Sequence, residues 1–328
     1  MAPRKGGALD ADALMREFTL YDRCVDVVSV YHWLFTETRE LPSTVRHFER
    51  YPRIEHPDGN TATPDFTVLF HDGRAIVAEI ASIALNDGSA DSLCAQLGRY
   101  DQLTHVPGND SGQLVQVDGV DVMFLSPMET APDAARRIYA ERIDDATHPD
   151  KPARRPFLVQ FAQTPEKYIL QPWADVSVNG VLTPGNSQGY DSFSTLNVRP
   201  ELFAELKVRF GFANDPVPGL YMATRLWMSV FPSVTSTWKA RPIVRTTDAL
   251  TALVREQYGR AKHGEVQAGL DVLQAARLAN RNGDVWTVKH QALKGDVAES
   301  IVARLARPDE PRRSARASQP ALGQGTLF

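Results

Sequence analysis

Hydrophobic residues recur every three or four positions in several parts of the chain, a spacing typical of helices that pack one face on a core. The first such segment, 12–39, has Leu14, Phe18, Val25 and Leu34 among its apolar positions. The same spacing predicts further helices over 90–103, 132–143, 200–210, 247–258, 265–280 and 295–306. Both ends of the folded chain are therefore expected to be helical.

Short apolar runs between these helices predict strands. The runs over 63–70 and 75–83 are joined by His71-Asp72-Gly73-Arg74, and an Asp-Gly pair between such runs is a strong signal of a β-hairpin. Further runs predict strands over 120–125, 157–161, 168–170 and 285–288. Strand, strand and helix follow one another from 63 to 103, so the first part of the chain is expected to be α/β.

A stretch rich in Gly, Ser, Asn and Pro over 176–194 interrupts this pattern, and we place a domain boundary there. The prediction is an α/β domain over 1–175 and a mainly helical domain over 176–306. The second domain is compatible with a winged helix or a similar small helical DNA-binding module. Residues 307–328 contain too few apolar side chains to fold, so we expect a disordered tail.

The composition is that of a soluble globular protein, with 43% hydrophobic and 23% charged residues. No segment approaches the roughly 18 apolar residues of a membrane span, and the first ten residues lack an export signal, so we expect a cytoplasmic protein without a membrane partner. Residues 1–200 hold 18 Lys and Arg against 28 Asp and Glu, whereas residues 201–328 hold 18 against 12. Basic surface suited to phosphates is therefore expected mainly in the C-terminal part.

Three short motifs lie in and after the predicted hairpin: Pro64-Asp65, Glu79-Ile80-Ala81, and Gln96 with Tyr100 four residues later. Together they resemble the PD-(D/E)XK nuclease superfamily, in particular its branch with a Q-x-x-x-Y helix after the catalytic strand. The resemblance covers about residues 30–125. It implies a restriction-endonuclease-like mixed sheet flanked by helices, and a protein that acts on DNA in replication, repair or defence.

The resemblance also implies a metal site. The carboxylates of Asp65 and Glu79 and the backbone carbonyl of Ile80 are the expected ligands of Mg²⁺ or Mn²⁺. Such hard cations prefer oxygen ligands, and they lower the pKa of bound water for phosphodiester cleavage. By the family pattern, a further acidic residue comes from the preceding helix, and the candidates are Glu37 and Glu40.

The helix after the hairpin is expected to support this site. Gln96 and Tyr100 are one turn apart on one helix face, with Arg99 beside them, so they are placed to hold the DNA backbone or to orient the carboxylates. Arg99 also offers positive charge, but a guanidinium stays protonated and is a poor proton acceptor.

Ala81 stands where the family usually has a lysine that positions the attacking water and offsets charge on the phosphate. No lysine occurs from residue 6 to residue 150, so no neighbouring lysine can take its place. Two hypotheses therefore stay open: a metal-dependent deoxyribonuclease of weak or specialised activity, and a catalytically inactive domain that binds DNA without cutting it. A third, an interaction module unrelated to DNA, applies if the motif match is a coincidence.

The chain ends in Gln324-Gly325-Thr326-Leu327-Phe328, which resembles the pentapeptide with which bacterial proteins dock on the replicative sliding clamp. Gln324, Leu327 and Phe328 match its anchoring positions. The glutamine would make polar contacts and the Leu-Phe pair would fill a hydrophobic pocket. The resemblance implies the clamp as a partner and a nucleoid-associated location.

Other residue types narrow the chemistry. Cys24 and Cys94, the only cysteines, are expected to be reduced core residues. The histidines show no metal-binding spacing, so the pattern gives zinc catalysis no support. Trp227, Trp238 and Trp286 have basic residues nearby and fit either stacking on a nucleic acid strand or packing in a core.

Overall fold

The computed structural model describes residues 10–38, 44–56, 59–81, 87–145, 147–149, 151–153, 155–173, 195–234 and 242–306. Several predictions fall outside these residues: those for Glu40, for Trp238, for the connector over 176–194, and for the tail over 307–328 with Gln324, Leu327 and Phe328. Within the described ranges, no helix is long and apolar enough to cross a membrane.

A long helix, α1 (Ala11–Thr36), begins the described chain, as the hydrophobic spacing predicts. Asp10 caps this helix, because its carboxylate accepts the backbone N–H groups of Asp12 and Ala13 at 3.0 and 3.1 Å. Apolar residues in the first half of α1 pack in one hydrophobic core, and most of those in the second half pack in another. The helix therefore belongs to both halves of the molecule.

The described strands up to residue 198 are β1 (Val45–Arg50), β2 (Ile54–Glu55), β3 (Thr61–Ala62), β4 (Phe66–Phe70), β5 (Arg74–Ile80), β6 (His105–Pro107), β7 (Leu114–Gln116), β8 (Gly119–Pro127), β9 (Phe157–Gln163), β10 (Tyr168–Pro172) and β11 (Leu196–Val198). Seven of them form one mixed sheet in the order β1-β4-β5-β8-β9-β10-β11. In this sheet β5, β8 and β9 are parallel to one another, and the other neighbours are antiparallel. The remaining strands form two short pairs, β2 with β3 and β6 with β7.

Helices cover both faces of the seven-stranded sheet. The second half of α1 packs on one face, among the side chains of β4 and β5. On the other face lie α2 (Asp87–Asp101) and α3 (Ala131–Ala135), which continues as a π-helix over Arg136–Ile143. The predicted α/β class, with helices flanking a mixed sheet, is confirmed at this level. We call this part the sheet unit.

The predicted hairpin is present. β4 and β5 pair antiparallel across His71-Asp72-Gly73, with Phe66 opposite Ala78. Gly73 has a φ of 86°, a left-handed backbone conformation that favours glycine, and a Cβ at this position would collide with the side chain of Asp118. The hairpin thus depends on the glycine of the Asp-Gly pair.

The chain then passes through a 3₁₀ turn (Pro200–Leu202) and α4 (Ala204–Arg209) into a C-terminal unit, 211–306. This unit contains α5 (Gly219–Arg225), a π-helical turn (Leu226–Val230), α6 (Phe231–Val234), β12 (Ile243–Thr246), α7 (Thr247–Tyr258), α8 (His263–Ala275), β13 (Ala279–Asn282), β14 (Val285–Val288) and α9 (Val297–Leu305). Its strands form an antiparallel sheet in the order β12-β14-β13. The sequence pattern predicts α4, α7, β14 and α9, and it misses α5, α6, β12 and β13.

The predicted helix over 265–280 is wrong at its C-terminal end. α8 ends at Ala275, and Arg277 then takes a left-handed φ of 62°. The next residues form β13, which pairs with β14 across Gly283. The turn around this glycine draws the preceding residues into a hairpin, and their backbone groups find partners there instead of in another helical turn.

The segment between the two units, which contains β11 and α4, is tied to both α1 and the sheet. β11 follows the predicted boundary over 176–194, yet it pairs with β10 in the seven-stranded sheet. Lys207 of α4 forms ion pairs with Asp22 and Asp26 of α1, with Nζ–O distances of 2.9 and 2.6 Å. Asp26 also accepts a hydrogen bond from Tyr168 of β10 at 2.5 Å. These contacts hold α1, the sheet edge and α4 together.

Candidate functional site

Asp65 and Glu79 lie opposite each other at the end of the hairpin that is farther from the turn. The register pairs Phe66 with Ala78, so Asp65, one residue before β4, is placed opposite Glu79 on β5. Directly opposed residues of an antiparallel pair have Cβ atoms about 4.5 to 5.5 Å apart and point to the same face. Both carboxylates therefore project from the face that α2 covers.

Backbone hydrogen bonds fix Asp65. Its Oδ2 accepts the N–H of Ile80 at 2.7 Å, and its own N–H donates to the carbonyl of Ala78 at 2.9 Å. Its carbonyl accepts the N–H of Tyr51 at 2.8 Å. Tyr51 has a φ of 51°, a left-handed conformation that costs a residue other than glycine on the order of 1 kcal/mol. Ile80 thus contacts Asp65 through its amide, and the metal-binding role of its carbonyl stays a prediction.

The helix α2 holds Glu79. The hydroxyl of Tyr100 donates to Oε2 of Glu79 at 2.8 Å, and Nε2 of Gln96 donates to the Tyr100 oxygen at 2.5 Å. Tyr100 is only 1% exposed, whereas Glu79 and Gln96 are half-buried, so the middle of this chain of hydrogen bonds is buried and its two ends are partly exposed. Arg99 is exposed on the same helix and takes no part in these hydrogen bonds. Asp65, Glu79, Gln96 and Tyr100 are therefore brought together, and Arg99 is not.

A further acidic residue approaches this pair from the C-terminal unit. Asp215, in the segment before α5, is exposed, and its charge raises the pKa of both Asp65 and Glu79. The sequence pattern gives no sign of this residue, because 150 positions separate it from Asp65 and no local motif contains it. The carboxylate pair therefore lies between the two units and carries acidic groups from both.

The electrostatic state of the pair is unusual for carboxylic acids. Burial raises the pKa of Asp65 to about 7, with the charge of Asp215 adding to the effect and the hydrogen bond from Ile80 opposing it. Burial and the charge of Asp65 raise the pKa of Glu79 well above its usual range, although the hydrogen bonds from Tyr100 and Gln96 favour the charged form. The protonated forms of both carboxyl groups are therefore favoured up to a higher pH than is usual for carboxylic acids.

Asp65→Asn is expected to raise the free energy of unfolding at pH 8 by about 1 to 2 kcal/mol. The gain is smaller than for a fully buried group, because solvent screens the charge of a half-buried carboxylate. The folded pKa of Asp65 lies above its unfolded value of 3.8, so the folded state binds more protons between about pH 4 and 7. The free energy of unfolding of the wild type should therefore fall as pH rises across this window. The variant retains an oxygen for the Ile80 amide and should lose much of that pH dependence.

Urea denaturation at pH 4, 6 and 8 measures this effect. The exposed Asp215→Asn variant is the control, and it should change the pH dependence less. Equal pH dependence in the wild type and in Asp65→Asn would contradict the raised pKa.

A divalent cation fits the chemistry of this pair. No group of three or more His, Cys, Asp or Glu side chains placed to hold a metal ion occurs among the described residues. Mg²⁺, however, is usually bound through one or two protein carboxylates, with water and substrate oxygens completing its shell. Asp65 and Glu79 meet that requirement, and a cation between them would offset the burial and the neighbouring negative charge that raise their pKa values.

Two further positions of the family pattern add no functional group to the carboxylate pair. Ala81 is buried in the core beneath α2, and its backbone N–H donates to the carbonyl of Leu125 at 2.7 Å. Glu37 is exposed at the C-terminal end of α1. Cys24 is the α1 residue near the carboxylates. Burial raises the pKa of its thiol, and the charges of Asp65, Asp215 and Glu79 raise it further. Glu37 lies about 20 Å further along the helix axis.

The remaining candidates are core residues. Cys24 and Cys94 are both buried and neither is part of a disulfide, as expected. Trp227 and Trp286 are 3% and 0% exposed and pack in the core of the C-terminal unit. Stacking on a nucleic acid strand is therefore ruled out for these two side chains in this conformation, which leaves the packing alternative.

Comparison of the chain with protein-family models, curated proteins and solved structures finds no match. The functional conclusion therefore rests on the geometry of the carboxylate pair and on the chemistry of its surroundings.

Proposed function

We propose that the protein processes DNA and that Asp65 and Glu79 form the centre of a metal-dependent deoxyribonuclease site. The observation that carries this proposal is the placement of two half-buried carboxylates opposite each other, with raised pKa values and a part-buried hydrogen-bond chain that holds one of them. Paired carboxylates held against their own repulsion are typical of functional sites, because structural positions rarely tolerate that cost.

The order of the elements supports the proposal. α1, the β4–β5 hairpin and α2 follow one another as in the PD-(D/E)XK family, and the three motifs converge on one face of the sheet. We infer a restriction-endonuclease-like core from this agreement. The C-terminal unit has helix, strand, two helices and a β-hairpin in sequence, with the first strand paired to the hairpin. This arrangement favours a winged helix.

Mg²⁺ or Mn²⁺ bound by Asp65 and Glu79 would supply positive charge for the scissile phosphate and lower the pKa of a bound water. The protein's own residues then have separate tasks. Tyr100 and Gln96 orient Glu79 by hydrogen bonds, and the amide of Ile80 orients Asp65. Asp215 is placed to contact solvent or substrate at the open side of the pair.

The second candidate function is a catalytically inactive DNA-binding protein or a sliding-clamp-associated adaptor. Ala81 favours it, because a methyl group neither positions water nor offsets charge on the phosphate. Lys207, which lies on α4, is engaged by Asp22 and Asp26 and cannot serve the site while these ion pairs persist. The C-terminal peptide with Gln324, Leu327 and Phe328 would bring either form of the protein to the replicative clamp, and thereby to the nucleoid.

Incubation of the full chain with single-stranded, duplex, nicked and flapped DNA separates these candidates. We expect cleavage in Mg²⁺ or Mn²⁺ that excess EDTA stops. If the wild type is inert, activity of Ala81→Lys would support the inactive-adaptor candidate, since it would reveal an intact site that lacks one group. Inactivity of both proteins on every substrate would overturn a cleavage function.

Metal binding can be measured without any DNA. A metal that binds only the folded state stabilises it by about 2.7 kcal/mol at a hundredfold excess over Kd. The thermal midpoint of the wild type should therefore rise with Mn²⁺, and that of the Asp65→Asn, Glu79→Gln double variant should not. Equal shifts in the two proteins would place the metal elsewhere.

A further inference from the structure

A cleft of about 1060 Å³ opens between the sheet unit and the C-terminal unit. Its walls come from the C-terminal end of α1, the end of β1, α4, and the connector between α7 and α8. Ligand pockets for small molecules span about 300 to 1,000 Å³. The cleft is therefore large enough for a few nucleotides of a single strand.

The walls of the cleft carry excess positive charge. The cationic lining residues are Arg50, Arg209, Arg255, Arg260 and Lys262. None of them forms an ion pair with a carboxylate within the described part of the chain. The acidic lining residues are Glu37, Glu49 and Asp110, of which the last two contact His47. Unpaired cations thus outnumber unpaired anions around this cleft.

Among these cations, Arg50 gives the strongest indication that the cleft binds an anion. Its Nε and one terminal nitrogen are buried and make no hydrogen bond of good geometry among the described residues, and the other nitrogen makes only long bonds of 3.2 and 3.4 Å to Ser29 and the carbonyl of Phe210. Its other neighbours, the side chains of Tyr51 and Phe210, are neutral. A buried guanidinium without a counter-ion is costly, because desolvation is not repaid. An anionic ligand in the cleft would supply the missing partner.

Aromatic rings line the same cleft. His32 stacks on Phe48 with ring centroids 4.7 Å apart and lies 5.2 Å from the ring of Phe210. Burial and the charges of Arg50 and Arg209 lower the pKa of His32 to about 4, so its ring is neutral at physiological pH. Phe48 is buried, whereas His32 and Phe210 are half-buried, so these two rings beside the cations offer the kind of surface on which single-stranded nucleic acids stack their bases.

The recognition-helix position of the C-terminal unit offers no comparable surface. α8 occupies the position that the recognition helix has in a winged helix, yet it contains no lysine or arginine. Its exposed Asp271 accepts a hydrogen bond from Gln267 at 2.7 Å. Three cations of the C-terminal unit lie at the cleft instead: Arg255 near the end of α7, and Arg260 and Lys262 in the connector before α8.

Two residues that line the cleft are direct neighbours of the acidic residues of the carboxylate site. Tyr51 lines it and donates its backbone N–H to the carbonyl of Asp65. Asn214 also lines it, next to Asp215. We propose that this cleft binds a single-stranded nucleic acid through its phosphates and bases and directs the strand to Asp65 and Glu79. The direction of the strand toward a reacting site rests on the proposed function; the binding itself does not.

Fluorescence anisotropy of a labelled single-stranded oligonucleotide in EDTA tests the binding without cleavage. The Arg209→Gln, Lys262→Gln double variant should bind about tenfold more weakly, since it loses two phosphate contacts. The slope of log K against log salt should fall by about 0.7 for each lost contact. Both side chains lack ion pairs with carboxylates, so the thermal midpoint should not change. Arg16→Gln, an exposed arginine of α1 outside the cleft, is the charge-matched control and should bind like the wild type.

A second variant tests whether Arg50 contributes to nucleic acid binding. Arg50→Gln should weaken binding by a similar factor while leaving the free energy of unfolding unchanged or raised, because the free protein loses an unpaired buried cation. Lower stability with unchanged binding would show that Arg50 only supports the fold and would overturn its assigned role.

Competition defines the ligand. Unlabelled single strand should displace the probe at lower concentration than a blunt duplex or a mononucleotide. Equal displacement by duplex, equal displacement by mononucleotide, no binding by the wild type, or wild-type affinity of the double variant would each overturn the proposal. Binding that follows the expected pattern in a protein that never cleaves DNA would uphold the cleft and refute only the nuclease site.

Discussion

Asp65→Asn and Glu79→Gln are each expected to lower metal-dependent DNA cleavage by about 10³-fold or more. Metal ions stabilise phosphoryl transition states by several kcal/mol, and each 1.36 kcal/mol corresponds to a factor of ten in rate. An amide oxygen is a weaker ligand than a carboxylate and carries no charge. Initial rates on a labelled substrate at saturating Mn²⁺ measure the loss.

Both substitutions keep the local hydrogen bonds. The asparagine of the first variant would still accept the amide of Ile80, and the glutamine of the second would still accept the hydroxyl of Tyr100, so the fold should survive. Asp215→Asn is the control, and a smaller loss is expected because this side chain is exposed. Cleavage that persists unchanged in both main variants would point to a contaminating nuclease and remove the assignment.

Trp286→Ala is expected to lower the free energy of unfolding by about 3 to 5 kcal/mol. The side chain is fully buried on β14, and its Nε1 donates to the hydroxyl of Thr247 at 3.0 Å. Its removal would leave a cavity beneath the three-stranded sheet, and the Thr247 hydroxyl would keep only its hydrogen bond to Gln267. Urea denaturation followed by circular dichroism measures the loss.

Trp286→Phe is the matched variant for this position. It keeps an aromatic ring and removes only part of the packing and the hydrogen bond, so a smaller loss of about 1 to 2 kcal/mol is expected. A residue that gripped DNA would show the opposite behaviour, with weaker DNA binding and unchanged stability. That outcome would contradict the burial of Trp286.

Short-range sequence patterns predicted the hairpin and the placement of its carboxylate residues. Asp-Gly between β-prone runs set the turn, and alternation along β5 placed Glu79 on the face away from Ile80. The four-residue spacing of Gln96 and Tyr100 put both on one helix face, where they meet Glu79. Each of these relations spans fewer than about 40 residues, so the sequence pattern contained it.

Relations over longer distances were not predictable from the pattern. Asp215 reaches the carboxylate pair only because the C-terminal unit folds back against α1, and no periodicity encodes that approach. The cleft gathers cations from β1, α4 and the α7–α8 connector for the same reason. The end of α8 was misjudged because apolar Ala276 and Leu278 continue the helical spacing although Arg277 turns the chain into a strand.

The position of α1 in two cores has a consequence for how the molecule unfolds. Leu14, Phe18 and Tyr21 lose their apolar surroundings if the C-terminal unit separates, and Tyr31 and Phe35 lose theirs if the sheet unit separates. Neither half can melt without exposing one stretch of the same helix to water. Thermal and chemical denaturation should therefore be one cooperative transition, and a proteolytic cut between the units should free no stable fragment.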